Sequence, residues 1–257
     1  MGDLSVHDDG RVTRIALDRP ERRNALSLRL MEQMLDALRA LTHETEVVIV
    51  EATGPVFSAG HDLSEMVARD AAFYDELFAV CTELMLAVHD TPQPVIAKVH
   101  GGATAAGCQL VAACDLAVAS EDAWFATPGV KIGLFCSTPM VPLTRVIGRR
   151  RALHMLLTGQ AIDARTALDW GLVNEVVPAA ELDAAVDALV AQILCFSPRV
   201  VGLGKRMFYD QIDVGEETAY ARAKVVMAAN AANADAQEGI SAFLEKRDPI
   251  WGSERER

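Results

Sequence analysis

The stretch from His100 to Ser120, HGGATAAGCQLVAACDLAVAS, carries the residues whose spacing could do chemistry. It opens with side chains too small to shield the backbone and runs into an alternating apolar segment. Bare main-chain amides beside a rigid core can meet charge developing on a carbonyl oxygen. Gln109 follows the small residues, and an amide neither gives nor takes a proton at neutral pH. A second glycine-punctuated loop, TGPVFSAGHDL, offers Ala59 and Gly60 in the same manner. Taken singly, each motif is explained as well by a tight turn or by close helix–strand packing.

Elements of regular spacing must hold these loops. Arg11–Leu17 alternates as a strand does, and RPERRN ends it in a charged turn. Ser27 can cap a helix running to His43, with Met31, Met34, Leu35, Leu38 and Leu41 on one face. Glu46–Ala52 reads as a strand buried on both faces, Phe73–Asp90 as an amphipathic helix, and Val95–Val99 as a strand. A short helix and strand cover Cys108–Ala119. Beyond Thr144 the pattern predicts helices over Thr144–Leu157, Asp163–Trp170, Glu181–Leu194, Pro198–Gln211 and Glu216–Arg247, with one strand near Leu172–Val177. Strands alternating with helices in the first half imply an α/β class with parallel pairing.

The 257 residues suffice for one large core. Residues 1–195 read as that core and 196–257 as a helical region of the same domain. A net charge of −12 argues against nucleic acid or an anionic membrane as partner, and leaves an anionic ligand in need of a local basic patch. No apolar run reaches the roughly 18 residues of a membrane span. The polar, acidic start MGDLSVHDDG has neither an apolar leader nor an Arg-rich transit pattern, so the expectation is a cytoplasmic protein. The five cysteines fit reduced thiols, and their spacing gives no metal site.

The segments RPERRNALS, FSAGHDL, PVIAKVHG, AAGCQLVAACDLAVAS, RRRALHMLLTG, ALDWGLVNEVVP and EGISAFLEKR, in that order, resemble the crotonase, or enoyl-CoA hydratase/isomerase, superfamily. The resemblance implies a crotonase-like spiral of ββα turns with a helical C-terminal oligomerisation region, assembled as homotrimers or hexamers. It also implies acyl-CoA thioesters as ligands, with coenzyme A as part of the substrate and no separate cofactor. Matched by motif, the amides of Ala59 and Ala106 are the expected donors to the thioester oxygen as it becomes an enolate, with Gly60 and Gly107 allowing the approach.

Hydratases of this family use two glutamates. Gln109 and Gly129 stand in their places here, so ordinary hydration is not expected. Gln109 could orient a water or a substrate hydroxyl, or simply be satisfied by backbone. Cys136 falls where relatives place a carboxylate; a thiol there could be a nucleophile or weak base if its pKa were lowered, or a small residue lining a pocket. The resemblance puts Arg22, Arg23 and Ala25 near the CoA phosphates, His61 and Leu63 along the CoA, and Phe243 and Lys246 at a C-terminal CoA contact. Asp62 reads as steadying its loop and His100 as a satisfied core residue.

Overall fold

A computed structural model describes residues 2–252. The chain starts as an antiparallel pair, β1 (Leu4–Asp8) and β2 (Val12–Leu17), and enters helix α1 (Leu28–Arg39) through the Ser27 cap, whose oxygen accepts the Leu30 amide. A strand–short strand–helix unit then recurs. It comprises β3 (Val47–Ala52), β4 (Val56–Ser58) and α2 (Ala71–Asp90), and next β5 (Val95–Val99), β6 (Gly102–Thr104) and α3 (Ala106–Ala113). The third turn has β7 (Leu116–Ser120) and β8 (Trp124–Ala126), followed by α4 (Met140–Val146) and α5 (Arg149–Thr158).

Each turn lays its first strand in one sheet and its second in another. The large sheet has the order β1-β2-β3-β5-β7-β10, parallel from β2 onward, with β10 spanning Glu175–Val177. The small sheet has the order β4-β6-β8-β9, with β9 (Ile162–Asp163) antiparallel at its edge. Val47–Val50 on β3 and Val95–Ala97 on β5 are fully or nearly fully buried, as a parallel sheet covered on both faces requires. α1, α2 and α3 cover one face, while α7 (Leu182–Leu194) covers the other through Leu182, Val186 and Val190. α6 (Ala164–Trp170) leads into β10.

Three differences from the sequence reading have local causes. β1 was not anticipated because its residues are mostly exposed; main-chain pairing with β2 defines it. The helix expected over Thr144–Leu157 is two helices, broken at Gly148, whose φ is +79°. The one expected over Glu216–Arg247 is also two, α9 (Glu216–Ala231) and α10 (Ala234–Glu245). They are separated by Asn233, whose side chain caps α10 at the Asp235 amide. Between α7 and α9 lies α8 (Pro198–Ile212), capped by Ser197.

Candidate functional site

The two small-residue loops meet at the C-terminal ends of β4 and β6. The linchpin is Asn24, fully buried, with φ +50° directly after Arg23 at +53°. Its side-chain nitrogen donates to the carbonyls of Thr53 (2.7 Å) and Val56 (2.9 Å), while its oxygen accepts the Arg19 amide. Asn is among the few side chains at ease in the left-handed region, so geometry and hydrogen bonding select it together. Ser58 Oγ donates to the Asn24 carbonyl and accepts the Gly60 amide, fixing the next turn. Asn24→Ala is expected to lower stability by about 2 kcal/mol, because three polar groups lose a partner. The corresponding drop of roughly 4–8 °C in melting temperature would show in a thermal melt.

From Ala59 to Asp62 the backbone runs beside Leu26. The Leu26 amide donates to Gly60 and the Asp62 amide donates to Leu26, forming a parallel bridge centred on His61. In that pattern the His61 N–H faces away from Leu26, and no acceptor takes it among the described residues. The Ala59 amide is spent: it donates to the Arg23 carbonyl at 3.0 Å. The expectation that Ala59 supplies a free donor is therefore corrected. The open amide lies two residues on, where the strand-like alternation turns N–H groups to the other side.

The second loop ends at Ala105, which holds φ +49° and starts α3 without a side-chain cap. The amide of Ala106, at the first helical position, thus lacks an intrahelical acceptor. Thr104 Oγ1 donates to the Ala59 carbonyl at 2.9 Å and ties the loops together. A Cβ on Gly60 would come within 2.8 Å of the Ala105 methyl and 3.1 Å of the Ala106 nitrogen, and one on Gly107 within 2.5 Å of the Ser58 carbonyl oxygen. Such close backbone approach explains why these positions hold glycine.

Around the loops sit the remaining candidates. Gln109, one turn into α3, is 3% exposed, and its Oε1 accepts a long contact from the Cys81 thiol at 3.9 Å. Asp62 caps the short helix Leu63–Glu65 through Ser64. Burial would raise its pKa, but the two Ser64 bonds, Arg19 and Arg22 together hold it below the usual carboxylate range. Leu63 is half exposed, and Ala25 is buried behind the loop. Arg22 and Arg23 are exposed and make no ion pair among the described residues. His100 shares its Nε2 with the Gly54 carbonyl at 2.8 Å, steadying the turn before β4. Phe243 and Lys246 belong to the end of α10, which packs chiefly on α9; Phe243 is 82% exposed and Lys246 ends the helix with φ +57°.

Gly129 and Cys136 fill each other's space. A Cβ on Gly129 would stand 2.8 Å from the Cys136 sulfur and 2.1 Å from the Leu134 carbonyl oxygen. Burial pushes the Cys136 thiol up despite a hydrogen bond from Gly129, and pushes Cys108 up to about 12. The condition set for a nucleophilic or basic Cys136, a lowered pKa, is not what burial favours here, and its packing against Gly129 suits the alternative of a small residue filling space. Composition could have hinted at Asn24, Ser58 and Thr104, which the sequence reading passed over. Their signal, a polar residue in a tight turn, is too common to single them out.

Fold and loops together define a member of the crotonase class. The family profile for enoyl-CoA hydratase/isomerase matches residues 8–254, and the chain belongs to that family. It is 48% identical to the mitochondrial enoyl-CoA hydratase domain-containing protein 3 of Mus musculus over 96% of this chain and 83% of that one. The human protein of that name superposes with a TM-score of 0.95 at 44% identity, covering 97% of this chain and 100% of the other. The crystal structure of an enoyl-CoA hydratase from Mycobacterium smegmatis gives 0.96 at 47%, covering 98% and 99%. The expectation of a cytoplasmic protein is overturned here. The mouse relative and its counterparts from other vertebrates are named mitochondrial, and the composition of ten residues at the start of a chain does not outweigh that.

Proposed function

We propose that the chain binds acyl-CoA thioesters and stabilises their enolates through the main-chain amides of His61 and Ala106, as a lyase/isomerase-family protein of fatty-acid metabolism. The observation that carries this reading is the meeting of two loops, each with an amide that finds no acceptor among the described residues. Preorganised donors of this kind add several kcal/mol to transition-state binding because nothing has to reorganise during reaction. Coenzyme A enters as part of the substrate, with no separate cofactor required for enolate chemistry. Arg22 and Arg23 supply the local positive charge that an acidic chain must offer the CoA phosphates.

The reading includes assembly into homotrimers or hexamers. α9 buries no residue of its own, and Val225, Met227, Phe243 and Leu244 on α9 and α10 are each at least 66% exposed, which a second copy would cover. In such an assembly Phe243 and Lys246 reach a CoA bound by a neighbouring subunit. Residues 196–257 are then the assembly region of one domain.

Standard hydration is not part of the proposal, since neither Gln109 nor Gly129 can act as acid or base. Robust loss of enoyl absorbance from crotonyl-CoA would refute that exclusion. A second reading, an acyl-CoA-binding protein without turnover, is favoured by the packing at Gly129, which leaves no space for a side chain. Calorimetry tests what the two readings share. Butyryl-CoA is expected to bind about tenfold more tightly than S-butyl-CoA, a thioether without the carbonyl oxygen, since two hydrogen bonds are worth roughly 1–3 kcal/mol. Equal affinities would show that no donor grips the carbonyl.

A further inference from the structure

His61 has a side chain as well as an amide, and the side chain is unusual. Both ring nitrogens are buried without a hydrogen-bond partner among the described residues, and the ring meets Phe78 edge-on at 5.5 Å. The Leu26 carbonyl lies close enough to favour the protonated ring slightly, though not at hydrogen-bonding geometry. Buried polar groups are almost always paired, and an exception in a native fold calls for a use. Phe78 and Cys81 are three residues apart on α2, so His61 and Gln109 meet that helix about one turn apart. Ala106 and Gln109 are likewise three apart on α3. Imidazole, carboxamide and the two open amides are thus gathered in one place.

We propose that His61 is the proton carrier of this site, removing a proton from the α carbon of a bound acyl thioester and returning it. The proposal rests on the acyl-CoA reading above. The imidazole lone pair takes the proton as the Cα–H bond breaks. The electron pair forms the enolate C=C, and the carbonyl electrons move to the oxygen held by the amides. Return of the proton to the α carbon exchanges hydrogen with solvent; return to the γ carbon of a β,γ-unsaturated chain shifts the double bond. Neither outcome needs an oxidant, a metal or a glutamate.

Burial holds the ring below its ordinary pKa, so it is neutral at pH 7 and its lone pair is free. No charged group among the described residues contributes to that shift. α2 presents Phe78 and Cys81, α3 presents Gln109, and the adjacent Asp62 carboxylate is taken by Ser64 and Arg19. Cys81 and Cys108, pushed up to about 12, and Cys136 stay protonated and cannot serve as bases. Gln109 positions a polar group of the substrate without titrating. Both ring nitrogens are covered in this structure, so a shift of the first half of α2 admits the acyl chain and, between turnovers, the water that exchanges the ring proton. That half has one fully buried residue before Cys81, Leu77, and is held besides by half-buried Phe73 and by the Tyr74 hydroxyl on the Met66 carbonyl.

The test is proton NMR of butyryl-CoA in D2O with the full-length protein. Loss of the α-methylene signal is expected for the wild type, slowing by about 10²–10⁴-fold in His61→Gln and His61→Phe, the usual range for a general base. The wild-type rate is expected to fall as pH drops through a value below 6.5 and to level off above it. Both variants keep the main-chain donors, so calorimetric binding of butyryl-CoA checks that they are folded. Unchanged exchange in folded variants overturns the proposal, as does a wild type that binds butyryl-CoA without exchange. Failure of the wild type to bind butyryl-CoA removes the acyl-CoA reading and this inference together.

Discussion

Replacing Gly129 with glutamate is expected to damage the fold rather than create a hydratase. The first atom of any side chain there would stand 2.1 Å from the Leu134 carbonyl oxygen, a separation real Cβ atoms do not adopt. The obstruction is backbone, and it is held in place because the Leu134 amide donates to the Gly129 carbonyl at 3.0 Å. The next obstacle is the Cys136 sulfur, whose own residue is 8% exposed and has little room to retreat. Overpacking of this kind costs typically 1–3 kcal/mol and more where backbone must move. Gly129→Ala isolates the steric part and is expected to lower the melting temperature by roughly 5–10 °C, with Gly129→Glu lower still. The double change Gln109→Glu with Gly129→Glu should therefore show little hydration of crotonyl-CoA, for want of a folded loop as much as of proton carriers. A Gly129→Glu protein with wild-type stability would show that the segment 129–136 is freely rearranged.

Much of this arrangement was legible in the chain because strong patterns write it. Buried parallel strands read as unbroken apolar runs, as in EVVIVEA and PVIAKV, and α1 announced itself through Ser27 and a one-sided stripe of methionine and leucine. The short strands β4, β6 and β8 were not legible. Three residues such as Gly102-Ala103-Thr104 carry too little alternation, and the pairing that makes them strands comes from distant segments. The site shows the same division. Small residues mark where two loops approach, but which amide stays open depends on one long-range hydrogen bond, Ala59 to Arg23, that motif matching does not contain. His61 was visible as a residue type and not as an orphan, because the absence of a partner is a property of the packed fold.

Lys205→Met is expected to cost about 3–5 kcal/mol, the range for stripping one partner from a buried ion pair. Lys205 reaches down from α8 into the core, its side chain 6% exposed. It donates to Asp115 at 2.6 Å and to the carbonyls of Val88 and Gln93 at 2.7 and 2.8 Å. Asp115 also accepts the Val95 amide and the Tyr209 hydroxyl, so one carboxylate joins α8 to the starts of β5 and β7. Methionine matches the length of the stem but leaves the Asp115 carboxylate without its cation partner and two carbonyls without donors. Burial lowers the Lys205 pKa and Asp115 works against that fall, so the ammonium depends on its partner. Because α8 leads directly to α9 and α10, loosening it should also weaken the proposed assembly through their exposed faces. Thermal melts and sedimentation of Lys205→Met, compared with Lys205→Met/Asp115→Asn, separate the two effects. The double change removes the stranded charge and should recover part of the stability. If the single variant melts within about 2 °C of wild type, less than 1 kcal/mol, the cluster is not what holds the helical region to the core.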